Sequence, residues 1–382
     1  MATASIRFTE SFEDQIDDLL MRICIELQLD PTRRGVAVTS YQSVGECLES
    51  YPHVALLRPT IYPQGSMALD TTVKPLVGDE FDLDFVCQFF YPAHYFANPI
   101  DALDLVEAAL RASLVYGPMV ERKNRCIRLN YAHKFHMDIL PACKDPKNGG
   151  TCVLVPDRQL KDWTASNPKG FTSWFDERCR QRAITRMMDK AAPIPNHQEA
   201  ERKPPLKLGV QLLKRWRDLR YKANPELGPI SIVLTTLAAQ HYRGEESIAL
   251  AVDHILSGIS DQIRSSFPRL VVLNPKNTDE DLSERWNTKP GAYREFVSGI
   301  TELDTQWKAI LQARGIDKVA RSLERLFGEE IAKKAVEKQA RDIEAARERR
   351  DVGMKKGSGI ITALSGGSVV PIPRHTFYGQ ED

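Results

Sequence analysis

The sequence offers no CxxC pair and no close Cys/His grouping with zinc-ligand spacing, and its cysteines are odd in number, seven scattered from Cys24 to Cys179. That excludes a zinc knuckle and any simple disulfide framework, and points to free, mostly buried thiols in a reducing cytoplasm. No run of about 18 apolar residues occurs and no signal-peptide pattern opens the chain, so neither a membrane span nor secretion is expected. Excess charge is missing too. The 52 basic and 51 acidic side chains leave a formal charge of +1, which argues against long nucleic acid as the main substrate, although a local basic groove stays compatible with it. No internal repeat is evident.

What is present is ordinary for a soluble globular chain: 382 residues, 42% hydrophobic and 27% charged. A chain of this length buries a large core and suggests two lobes. The organising stretch is Pro63 to Phe90, PQGSMALDTTVKPLVGDEFDLDFVCQFF. A Gln64-Gly65-Ser66 turn is followed by an alternating Asp82-Leu83-Asp84 that opens an apolar strand. Alternation puts Asp82 and Asp84 on one face and Phe81, Leu83 and Phe85 on the other. Two carboxylates one pleat apart repel unless a cation sits between them, and Mg²⁺ favours a site of one or two carboxylates completed by water and phosphate oxygens. Gly65 and Ser66 could offer a backbone N–H and a hydroxyl to those phosphates.

Further along, a strand over Phe135 to Leu140 reads FHMDIL, with His136, Asp138 and Leu140 on one face and Met137 and Ile139 on the other. An Asp in so apolar a strand needs a partner or a metal, which makes Asp138 a candidate third carboxylate. Each piece alone has a plainer explanation: a strand-end Asp, a turn, a solvated acid pair. Together they define a pattern. His136, two residues from Asp138, reads as a packed or exposed histidine and is left out of the catalytic set.

This combination resembles the GS…DxD signature of polymerase-β-like nucleotidyltransferases, and within them the cyclic GMP-AMP synthase and oligoadenylate synthetase superfamily. It is most similar to the bacterial CD-NTases, the oligonucleotide cyclases of CBASS anti-phage operons. The resemblance implies an α/β (α+β) fold, a mixed sheet carrying the acids with a helical second lobe. It implies Mg²⁺ or Mn²⁺ held by Asp82, Asp84 and Asp138 for in-line phosphoryl transfer, with Asp138 beside the attacking ribose hydroxyl. It also implies a helix lysine and a serine opening the next helix as triphosphate contacts. These carry over to Lys214, in Leu213-Lys214-Arg215-Trp216, and Ser231, in Gly228-Pro229-Ile230-Ser231, with Lys207 in reserve. For the lysines the plainer reading is a solvated helix face, and for Ser231 an N-cap.

The implied reaction condenses ATP, alone or with GTP or another NTP, into a cyclic di- or trinucleotide messenger for a cyclic-nucleotide-responsive effector. Regulatory or conjugating operon partners are implied as well. In some operons of the family the cyclase C-terminus is conjugated to targets, whereas here Gly379 is followed by Gln380, Glu381 and Asp382. The zinc insertion of the animal DNA sensor is missing, so direct DNA sensing is not expected. Two rivals stay open at this level: a template-free enzyme acting on RNA or protein, and a silent nucleotide-binding regulator.

The expected organisation is N-terminal helices over 1–50, a catalytic lobe over 51–200, a helical lobe over 201–350 and a flexible tail over 351–382. Apolar residues at steps of three and four predict helices over Ser11 to Leu29, Pro99 to Val115, Pro205 to Tyr221, Ser247 to Phe267 and Pro290 to Gln312. A short helix is predicted over Tyr41 to Tyr51, another just after the Gly-Ser turn, a segment His53 to Tyr62 leading into a first sheet strand that ends at Pro63, and a loop over Trp163 to Gly170 leading to a helix over Phe171 to Asp189.

Overall fold

The fold is that of a computed structural model, which describes residues 12–76, 78–131, 135–180, 198–348, 352–355, 361–363 and 369–371. The chain opens with α1 (Phe12–Glu26), α2 (Pro31–Ser50) and the single turn α3 (Pro52–Ala55). It then builds β1 (Thr60–Pro63), the one-turn α4 (Gly65–Ala68), β2 (Phe81–Pro92), α5 (Pro99–Arg111), β3 (Val120–Arg122), β4 (Ile127–Tyr131), β5 (Phe135–Lys144), β6 (Val153–Asp157) and β7 (Asp162–Ser166). The strands form one seven-stranded sheet in the order β1-β2-β5-β4-β3, with β6 joined to β5 and β7 to β6. Only β2 and β5 run parallel; the other pairings are antiparallel.

Helices follow: α6 (Pro168–Cys179), α7 (Pro205–Arg220), α8 (Ser231–His241) and α9 (Ile248–Ser265). After a small hairpin of β8 (Leu273–Asn274) and β9 (Asn277–Asp281) come α10 (Arg285–Thr288), α11 (Pro290–Gln312), α12 (Ile316–Phe327) and α13 (Glu329–Glu348). The helical lobe buries one large core around Leu213, Leu234, Ile255, Phe296, Trp307 and Phe327. A second core lies between one sheet face and α2 and α5, built from Leu83, Phe85, Met137, Ile139, Leu103 and Val106. The alternating burial of β2 and β5 follows from this: Phe81, Leu83, Met137 and Ile139 are buried, while Asp82, Asp84, His136 and Asp138 lie on the opposite, more open face.

Several expectations need correction. The first helix buries Ile16, Leu19, Leu20 and Ile23 in the helical-lobe core, and α6 does the same with Phe171 and Phe175. The lobes therefore do not divide at 50 and 200: α1 and α6 belong with the helices, and α2 with the sheet. The helix expected from Tyr41 begins at Pro31. Asp30 caps it by accepting from the Thr32 and Arg33 amides, while Gly35, Val36, Val38 and Thr39 had masked its period. His53 and Val54 lie in a turn of helix after Pro52, and the strand starts only at Thr60.

Trp163 to Gly170 is not a loop. Asp162–Ser166 pairs with β6, and Asn167, accepting from the Gly170 amide, starts α6 at Pro168. The Ser166-Asn167 corner has a mechanical role. Glu280 accepts from Ser166 Oγ (3.0 Å), the Asn167 amide (3.2 Å) and Asn274 Nδ2 (2.6 Å), pinning the β8–β9 hairpin onto the sheet. The C-terminal segment expected to be flexible carries β10 (Val352–Lys355), β11 (Ile361–Ala363) and β12 (Val369–Pro371), which pair antiparallel about β10. The second half of the helix expected to Asp189, and Gly379 with its neighbours, lie outside the described residues. All seven cysteines are free, as the spacing suggested. No helix among the described residues is long and apolar enough to cross a membrane.

Candidate active site

The open face of β2 meets α7 and α8 across a cleft of about 300 Å³, and Asp138, beside Asp84 on β5, is not among its lining residues. The sheet side contributes Gly65, Ser66, Thr72, Asp82 and Asp84. The helical side contributes Lys214, Arg217, Asp218, Ser231 and Thr235.

Gly65 explains itself. Its φ is +60°, a region that costs a side-chain-bearing residue, and an added Cβ would lie 2.8 Å from Asp84 Oδ2. Gln64 is extended, and its amide donates to the Asp84 carbonyl at 2.9 Å, so the turn is tied to the acid-bearing strand through its backbone. The Gln64 side chain is not among those lining the cleft. Ser66 follows in α4, its Oγ 3.2 Å from Thr72 Oγ1.

The acids come together by register. Asp84 stands opposite Asp138 and Asp82 opposite His136 across the parallel pair. Burial pushes the Asp84 carboxyl up to about 7, with Asp138 and Asp82 adding to the rise. Asp82 is raised as well, by desolvation, against the pull of Arg128. His136 Nε2 lies 3.2 Å from Glu80 Oε2, which gives it a partner of its own beside the acids.

Arg128, on β4 directly across from Asp138, was not anticipated. Its Nε and Nη2 each donate to Asp138 at 2.7 Å, and Nη2 reaches Asp82 Oδ1 at 3.5 Å. Only the strand register reveals it, since ten residues and a turn separate it from Asp138. Arg217 could have been found, because it sits one helical turn beyond Lys214 on the same face. It donates to the Ser231 hydroxyl and pairs with Asp218.

Lys214 reaches the cleft, yet its ammonium is engaged, donating to Thr71 O (3.2 Å) and Thr71 Oγ1 (3.0 Å). Desolvation, helped by the Arg217 charge, brings it down to about 7. Ser231 is the first residue of α8 and Ile230 occupies the cap, so the plain N-cap reading fails and the hydroxyl faces Arg217. Lys207 points elsewhere, 4.0 Å from Asp176 of α6.

The donor set suits a hard divalent cation. Asp82, Asp84 and Asp138 would offer it carboxylate oxygens; Asp138 and Asp82 both raise the Asp84 carboxyl, and a guanidinium is drawn onto Asp138 and Asp82. Among the described residues no three acidic, histidine or cysteine side chains form an ion cage, and Arg128 donates to both oxygens of Asp138.

A mixed sheet bearing paired acids beside a Gly-Ser turn, closed by a helical lobe, defines a nucleotidyltransferase of the polymerase-β-like class. Residues 15–179 match the Second Messenger Oligonucleotide or Dinucleotide Synthetase domain. The chain is 32% identical to a c-di-GMP synthase of Roseivirga ehrenbergii, over 97% of its own length and 99% of that protein. It is 28% identical to the cyclic dinucleotide synthase CdnG of Bradyrhizobium diazoefficiens, over 72% and 71% of the two chains. The structure of that CD-NTase in complex with GTP superposes with a TM-score of 0.68 at 25% identity, covering 86% of this chain and all of that one. The chain belongs to the bacterial CD-NTase family of cyclic oligonucleotide synthases.

Proposed function

We propose that the enzyme condenses two nucleoside triphosphates, GTP ahead of ATP, into a cyclic dinucleotide. The observation that carries this reading is the pair Asp82 and Asp84 beside the Gly65-Ser66 turn in one two-lobed cleft, with Asp138 in register with Asp84 on the neighbouring strand. Guanine is preferred over the adenine expected from sequence because a relative matched end to end is named for c-di-GMP and another binds GTP.

In the proposed reaction a ribose hydroxyl of one nucleotide attacks the α-phosphorus of the other. The bond to the bridging oxygen breaks and pyrophosphate leaves; a second such step closes the ring. Gly65 lets the backbone approach the phosphates, and Ser66 donates its hydroxyl to a phosphate oxygen. Lys214 and Ser231 neutralise and hold the triphosphate from the helical side. Asp82, Asp84 and Asp138 would hold Mg²⁺ or Mn²⁺, which when bound would offset charge on the phosphates and lower the pKa of the attacking hydroxyl. Asp138 faces that hydroxyl and orients it. The product is a messenger for a cyclic-nucleotide-responsive effector in anti-phage defence.

The test incubates the protein with each labelled NTP, singly and in pairs, with Mg²⁺ or Mn²⁺, then applies phosphatase and mass spectrometry. A phosphatase-resistant closed dinucleotide of guanine supports the proposal. Adenine or mixed rings would overturn the base assignment, and linear products alone would overturn cyclisation.

A further inference from the structure

The Gly-Ser turn is held from the helical lobe through three consecutive backbone carbonyls. After α4 the chain passes through Asp70, Thr71 and Thr72 without regular structure, and all three residues are buried. Asp70 adopts φ +53° there. Carbonyls buried outside a helix or sheet need donors from elsewhere. Each finds one on a different side chain: Lys203 Nζ donates to Asp70 O at 3.1 Å, Lys214 Nζ to Thr71 O at 3.2 Å and Gln211 Nε2 to Thr72 O at 2.7 Å. Gln28, two residues beyond the end of α1, locks two of these donors, accepting from Lys203 Nζ at 2.8 Å and donating to Gln211 Oε1 at 3.2 Å.

Thr72 carries the constraint on to Ser66. Its Oγ1 lies 3.2 Å from Ser66 Oγ and 3.3 Å from Met67 Sδ, and oxygen is the better acceptor of its single proton. A serine oxygen that accepts from Thr72 keeps its own O–H to give elsewhere, and Ser66 lines the cleft. Gln211 is fully buried and does not line the cleft, so any influence on the nucleotide runs through Thr72. Because it is uncharged, that influence is geometric and not a long-range field.

We propose that Gln211 is a positioning residue for the phosphate turn: by holding the Thr72 carbonyl it fixes the direction in which Ser66 offers its hydroxyl to the triphosphate. This rests on the reading of Ser66 as a phosphate ligand. The roles of Gln211 and Thr72 follow from the hydrogen-bond chain alone.

The experiment compares Gln211→Met, Thr72→Val, Ser66→Ala and their pairwise combinations. It measures kcat and KM for GTP and ATP, and binding of a non-hydrolysable GTP analogue with Mg²⁺ by calorimetry. Gln211→Met removes the donor at similar volume and is expected to raise KM and the analogue Kd by about tenfold, with kcat changed by less than about twofold. Thr72→Val should do the same. Combining either with Ser66→Ala should add nothing, since all three remove one contact. A Gln211→Met enzyme with unchanged KM and lower kcat, matching a lost folded fraction, would show a purely structural role and overturn the proposal, as would additive effects. Ser66→Ala with unchanged KM would overturn the reading of Ser66 and the proposal with it. If Gln211→Met does not fold, Thr72→Val decides: an unchanged KM, or additivity with Ser66→Ala, overturns the proposal.

Discussion

Asp84 and Asp138 face each other in register across the one parallel strand pair of the sheet, and Arg128 stands across from Asp138 on the next strand. Two carboxyl groups and one guanidinium thus share a single row. The electrostatics of the metal-free enzyme follow from that row.

Asp84 should make the protein less stable as pH rises. Its carboxyl is lifted from 3.8 to about 7, so between those values the folded state keeps a proton that the unfolded chain has released. The folded form binds more protons, and its stability falls with rising pH across that window. Thermal melts in EDTA from pH 4 to 7 should show this decline, and Asp84→Asn should make it shallower, the raised Asp82 carboxyl contributing part of the remainder. At pH 8 the variant is expected to be more stable by on the order of 2 kcal/mol, with turnover down by about a thousandfold, some 4 kcal/mol of barrier. A variant no more stable than the parent at pH 8 would contradict the burial argument.

Arg128→Met should leave Asp138 facing Asp84 with no cation on its other side. The expected loss without metal is about 1–3 kcal/mol, typical of hydrogen bonds to charged groups. Mg²⁺ should then raise Tm more in the variant than in the parent. Equal Mg²⁺ shifts in the two proteins would show that Arg128 does not compete for the acids.

Gly65→Ala combines two penalties, a left-handed backbone costing about 1–2 kcal/mol and a collision with Asp84 Oδ2 at 2.8 Å. Since the carboxylate can move more easily than the turn, activity should suffer more than stability. Circular dichroism and product assays on the same sample would separate the two; full activity would mean the turn can shift freely.

Glu280→Ala removes the common acceptor of Ser166, Asn167 and Asn274. Stranded buried donors cost about 1–3 kcal/mol each, although water will satisfy some of them. A total loss of about 2–4 kcal/mol is expected. Hydrogen exchange should rise first in the β8–β9 hairpin; uniform exchange across the protein would argue that the hairpin is not the weak point.

The residues that lie close together in sequence were the legible ones. Asp82 and Asp84 lie on one strand, where period-two alternation alone decides their face, and Gly65 and Ser66 form the turn just before it, whereas Gln64, expected with them, does not line the cleft. Asp138 was legible because a carboxylate in FHMDIL has few apolar excuses. Arg128 was hidden because cross-strand pairing, not spacing, brings it to Asp138. The lobe to which α1 belongs was hidden for a related reason: periodicity shows that Ile16, Leu19 and Ile23 share a face but not what covers it. The β7 strand was lost because Ser-Asn-Pro is strong turn chemistry, and the corner it makes lies only at the strand's final residue.

Arg22 of α1 meets Asp342 of α13 at 2.6 Å across 320 residues of chain. The sheet is therefore spliced into the middle of the helical lobe, whose opening and closing helices lie at opposite ends of the sequence. During synthesis, at about 5–20 residues per second, the sheet can assemble while the apolar face of α1 waits for a partner not yet translated. The nascent chain carries an unsatisfied greasy helix for tens of seconds, which makes α1 the natural point for a chaperone to hold and for a stalled or truncated product to aggregate.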